Sequence, residues 1–119
     1  MLDKGRTGAG ADTALLDGAH LHRYTGGDVA LEVELYGLLR GQIVSTLDAL
    51  ARAGDDAVLW QRLLHTLKGA ARGVGAMALG DACAAQESGA NDPAALEAIR
   101  AVADETLGAI DTELERRAA

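Results

Sequence analysis

Apolar and polar residues follow one another along this chain with a helical period, not the alternation of strands. From Leu31 the positions Leu35, Leu39, Ile43, Leu47 and Leu50 recur at steps of four or three, which keeps them on one helical face for about five turns. Asp28 stands at the N-cap position of this stretch, which predicts a helix to about Ala53, closed by Gly54. Before it, Asp12 to Tyr24 predicts a short helix with Leu15, Leu16 and Leu21 as its contacts, stopped by Gly26-Gly27. Asp55-Asp56 then offers caps for a third helix from about Ala57 to Arg72 or Gly73, loosened or ended by Gly73-Val74-Gly75. A fourth runs from about Ala76 to Ser88 with Leu79, Ala82, Cys83 and Gln86 on one face, and Gly89 and Asn91 break it. Asp92-Pro93 opens the last helix with a capping side chain followed by proline at the first helical position. Its inner stripe is Leu96, Ile99, Ala103, Leu107, Ile110 and Leu114. One short helix and four longer ones, joined by brief turns, predict an all-α fold: an antiparallel four-helix bundle with a short additional N-terminal helix. Residues 1–11 are glycine-rich and without apolar periodicity, so a disordered tail is expected there and one domain over 12–119.

Composition agrees and removes several functions. The chain has 119 residues, the length of one domain, with 25 Ala and 18 Leu against 12 Val, Ile, Tyr and Trp together and no Phe. Eleven Lys and Arg against 18 Asp and Glu, a net charge of -7, leave no basic footprint for nucleic acid. One cysteine permits neither an internal disulfide nor a cysteine-built zinc site, and Cys83 reads as a small core residue in a reducing compartment. No apolar run approaches the roughly 18 residues of a membrane span. Met1 to Arg6 is not followed by an apolar stretch, so no signal peptide is expected and the cytoplasm is the expected location. His20 and His22 point in different directions on a helix and read as surface histidines, not a metal site. Trp60 and Tyr36 read as packing residues, and the Glu113 to Arg117 charge run as a solvated C-terminal turn. Neither Gly8-Ala9-Gly10 nor Gly73-Val74-Gly75-Ala76-Met77-Ala78 follows a strand, so neither is a dinucleotide fingerprint.

Fifteen glycines are many for a helical protein, and one of them falls in the third helix where chemistry concentrates. With His65 set at zero on the helical wheel, Leu63, Leu67, Ala70 and Val74 lie within about 40° of the opposite direction, Trp60 close to them. Gln61, Lys68, Gly69 and Arg72 lie within about 60° of His65, on the outward face. An exposed helical glycine sacrifices about 1 kcal/mol relative to alanine, so Gly69 reads as clearance for another molecule beside the imidazole. An accessible imidazole titrates near pH 6.5, roughly, which leaves a large neutral and nucleophilic share at about pH 7. Lys68, with Arg72 as a second cation, could stabilise negative charge brought there. Gly37, Gly41, Gly80 and Gly108 find no such role and are expected at close helix contacts.

His65-Thr66-Leu67-Lys68-Gly69-Ala70, followed by Val74-Gly75-Ala76, resembles the signature of histidine-containing phosphotransfer (HPt) domains, H-x-L-K-G with a later apolar-Gly-Ala. The likeness extends over residues 12–119. It implies a four-helix phosphocarrier of bacterial multistep phosphorelays, with His65 as phospho-acceptor, Lys68 as electrostatic partner of the phosphoryl group and Gly69 as clearance for the docking protein. It also implies a Gln or Glu on the next helix that orients the imidazole; Glu87 falls at the matching spacing, with the adjacent Gln86 as the alternative. Arg72 lies outside the motif. The implied partners are response-regulator receiver domains and a hybrid sensor kinase. The implied cofactor set is empty, Mg²⁺ belonging to the receiver, and a monomer without autokinase activity is expected. Two other readings stay open. A kinase segment would be of the chemotaxis type, since the His-Glu and Thr-Pro or Asn-Pro pairs of sensor kinases are missing; a helical adaptor would keep the fold without using His65.

Overall fold

The computed structural model describes residues 14–89 and 91–118, so the expected tail at 1–11 lies outside it. Five helices follow: α1 Gly18–Thr25, α2 Val29–Arg52, α3 Ala57–Val74, α4 Met77–Glu87 and α5 Pro93–Ala118. Aspartates begin four of them. Asp17, Asp28, Asp56 and Asp92 accept hydrogen bonds from the backbone N–H groups of His20, Leu31, Leu59 and Ala95, donors that the first turn of a helix leaves without partners. Glycines in the left-handed region end α1 and α3, at Gly26 (φ 67°) and Gly75 (φ 100°).

The helix expected from Asp12 is broken before α1: Ala14 and Leu15 are helical, and Leu16 and Asp17 are not. Asp17 is extended and interrupts the expected helix, because its side chain caps α1 while its N–H donates to Gly75 O at 2.9 Å. His20 adds a second tie, Nε2 to Gly73 O at 3.2 Å, across the end of α3. Here Gly75 has two reasons to be glycine: its positive φ, and a Cβ that would stand 2.8 Å from Asp17 O. Gly75→Ala is expected to lower the unfolding free energy by about 2 kcal/mol, read as an earlier urea midpoint with an unchanged slope.

Helices α2 to α5 close a bundle in which each packs on its sequence neighbour and α5 returns to α2. The pairs Glu32–Arg117 and Arg40–Asp111 show that α2 and α5 run antiparallel. The core holds Leu39, Ile43, Leu50, Trp60, Leu64, Leu67, Leu79, Cys83, Ile99 and Ile110, all buried. Burial raises the Cys83 thiol to about 11, in keeping with its reading as a core residue. Two predicted stripes hold only in part. On α2, Leu39, Ile43, Leu47 and Leu50 are buried as expected, while in its first two turns Glu32 and Tyr36 take the buried positions and Leu31 and Leu35 are half-buried. On α3, Leu64 and Ala71 are buried with Trp60 and Leu67, whereas Leu63, Ala70 and Val74 flank the core. The physical reason is that α3 packs against both α2 and α4, which turns its buried arc toward α4.

The C-terminal charge run is solvated only in part: Glu115 and Arg116 are exposed, while Glu113 and Arg117 are half-buried. Arg117 reaches back to buried Glu32 (Nη2 to Oε1 3.1 Å), pairs with Glu113 and lies over the Tyr36 ring, 5.1 Å from its centroid. His22 stays exposed as expected while facing Glu32, Nδ1 to Oε2 3.4 Å, and His20 is half-buried. Of the four unassigned glycines only Gly80 makes a close contact, under the Arg72 side chain; Gly37, Gly41 and Gly108 face open space. No described helix is long and apolar enough to cross a membrane.

Candidate functional site

The rotation of α3 decides how its outward face is presented. Lys68 turns toward α4 and is half-buried, while His65 stays exposed, its side chain 68% accessible. Nothing stands within 4 Å of where a Gly69 Cβ would be, so that flank of the imidazole is open. The partner for His65 comes from α4, whose last turn is held against α3 by Trp60 Nε1 donating to Gln86 O at 3.2 Å. That bond uses the Gln86 backbone and places the next residue, Glu87, over the seam between the two helices.

Glu87 bridges the motif. Its Oε2 is 3.0 Å from His65 Nδ1, and its Oε1 is 2.6 Å from Lys68 Nζ. Of the two candidates on α4, Glu87 and not Gln86 makes the contact with His65. The Lys68 hydrogen bond, aided by that of His65, holds the Glu87 carboxyl below its ordinary value, so the group is an anion near neutral pH. A carboxylate only accepts; the proton between them therefore sits on Nδ1, and the lone pair of the imidazole is on Nε2. Since the folded state lowers this pKa, the contact contributes stability above the unfolded carboxylate's pKa and loses it as pH falls through the lower folded value. In a carboxyl NMR titration Glu87 is expected to titrate below the ordinary glutamate value, and Lys68→Ala to move it back up.

Lys68 thus faces Glu87, where the sequence pattern placed it beside incoming charge. Arg72 is likewise paired, Nη2 to Asp81 Oδ1 at 3.0 Å, its stem lying across Gly80. One neighbour escaped the sequence reading. Arg62 lies one turn before His65 and is exposed, and with Val58, Gln61, His65 and Glu87 it lines an open concavity of about 400 Å³. Its signal in the sequence is its place on the same helical wheel, about 60° from His65 on the side opposite Lys68. Among the described residues no group of three or more metal-ligating side chains occurs.

An exposed imidazole with one nitrogen fixed by a carboxylate and the other free, on a bundle helix, has the build of a histidine phosphocarrier. The Hpt domain family model matches residues 34–119, well over half of the chain. No curated protein and no solved structure shows a match to the chain. The chain belongs to the Hpt domain family and so to the phosphotransfer machinery of two-component signalling, which works through a phosphohistidine and through contacts with receiver domains and kinases.

Proposed function

We propose that His65 accepts a phosphoryl group from the aspartyl phosphate of one response-regulator receiver domain and passes it to the aspartate of another, in a multistep relay that begins at a hybrid sensor kinase. The observation that carries this reading is the Glu87–His65 hydrogen bond. It holds Nδ1 protonated and aims Nε2, with its lone pair, away from the bundle. In the transfer, Nε2 attacks phosphorus in line, the N–P bond forms as the aspartyl O–P bond breaks, and that electron pair stays with the receiver's carboxylate. The Nδ1 proton stays in its bond to Glu87, whose negative charge balances the positive charge that develops on the ring. Lys68 keeps Glu87 ionised and so acts on His65 through it, as a positioning residue.

Chemistry of this kind asks the carrier for a placed nucleophile and access, with Mg²⁺ on the receiver; the chain acts without nucleotide, cofactor or autokinase activity, as a cytoplasmic monomer. The test is the tautomer. Long-range ¹H–¹⁵N spectra above pH 8 are expected to show His65 with its proton on Nδ1, and Glu87→Ala to shift the population toward Nε2–H and slow transfer from a phosphorylated receiver. An Nε2–H majority in the unaltered protein would contradict the proposed orientation.

A further inference from the structure

We infer that Arg62 is the cation that binds the phosphoryl group on His65, a catalytic residue outside the H-x-L-K-G motif; the inference rests on the phosphocarrier reading above. A phosphoryl group on Nε2 adds about two negative charges beside a Glu87 carboxylate that is already ionised. Lys68, the cation of the motif, is half-buried with its ammonium 2.6 Å from Glu87 Oε1, so its charge balances the carboxylate. Arg72 is held by Asp81. What is left on this face is Arg62, which is exposed, has no ion-pair partner among the described residues and borders the concavity that His65 and Glu87 also line.

The surrounding charge pattern points the same way. The chain carries a net charge of -7, yet α3 has no Asp or Glu along its whole length, from Ala57 to Val74. Nothing on its own helix therefore competes for the Arg62 guanidinium. Residues three apart on a helix are neighbours, which puts the guanidinium within reach of a group on Nε2. Its planar fork suits two oxygens of a phosphoryl group, and Gln61, beside it in the same concavity, adds a neutral amide donor. Arg62 thus holds the equatorial oxygens while the P–N bond forms on one face and the bond to the leaving group breaks on the other.

A small donor separates this role from partner docking. Phosphoramidate carries its phosphoryl group on a nitrogen that is already protonated near neutral pH: the N–P bond to His65 Nε2 forms, the P–N bond of the donor breaks with its electron pair going to that nitrogen, and ammonia leaves. Arg62→Gln is expected to slow labelling of His65 by phosphoramidate about tenfold or more, with Arg62→Lys intermediate and far-UV circular dichroism unchanged. Labelling of Arg62→Gln at the unaltered rate would overturn the inference. So would a variant slowed only with a phosphorylated receiver as donor, which would make Arg62 a contact of the partner protein. If the unaltered protein takes label from neither phosphoramidate nor any receiver, the phosphocarrier reading itself falls, an outcome distinct from both.

Discussion

His65→Gln is expected to take no label from any phosphorylated receiver or from phosphoramidate, while its unfolding transition stays within about 0.5 kcal/mol of the unaltered protein. Both halves follow from the site. Glutamine keeps an amide N–H that can still donate to Glu87, so the α3–α4 seam retains a hydrogen bond where Nδ1 made its own. It lacks a ring nitrogen with a free lone pair, so no N–P bond can form. Stability holds because the His65 side chain lies outside the core, whereas its neighbours Leu64 and Leu67 are fully buried. The same deletion at Leu64, Leu64→Ala, would destabilise by about 2–5 kcal/mol, so the contrast between adjacent residues checks that loss of label is chemical and not structural. Gel-based detection of acid-labile, alkali-stable phosphate, with a urea unfolding curve on the same sample, reads both.

Gly69→Leu is expected to separate access from reactivity. A leucine at this exposed position gains helix propensity over glycine, so the variant should be as stable as the parent or more so by about 0.8 kcal/mol. Its Cβ would meet nothing within 4 Å in the chain itself. In the proposed transfer a whole receiver domain brings its aspartate to within bonding distance of Nε2, and the added side chain stands one turn from that atom on the same face. Transfer from receivers should fall by roughly two orders of magnitude, while phosphoramidate, small enough to enter beside the leucine, labels His65 at the parental rate. A variant that exchanges phosphate with receivers at the normal rate would leave Gly69 without a role in docking.

These expectations draw on features of unequal visibility in the sequence. The caps Asp28, Asp56 and Asp92 and the stops Gly26 and Gly75 act on their own turns, so local pattern was enough to place four long helices. His65, Lys68 and Gly69 were legible because one helical wheel holds them all. Glu87 was found by its spacing in the family signature; no local rule puts a carboxylate 22 residues away onto the imidazole. What stayed hidden are contacts between distant segments. The burial of Glu32 and Tyr36 goes with Arg117 from the far end of the chain, and the break before α1 goes with the bond from Asp17 to Gly75. The rotation of α3 belongs with these, and through it Lys68 was drawn from the open face onto Glu87.

The central claim is that His65 carries phosphate between receivers, and label transfer tests it most directly. The protein is mixed with receiver domains of its host that carry ³²P on their aspartates, and the label is followed in time. The account predicts that label leaves at least one receiver, appears on this chain as alkali-stable phosphohistidine at His65, and moves on when an unlabelled receiver is added. A chain that stays unlabelled with every receiver of its host, or that takes label at a residue other than His65, would contradict it.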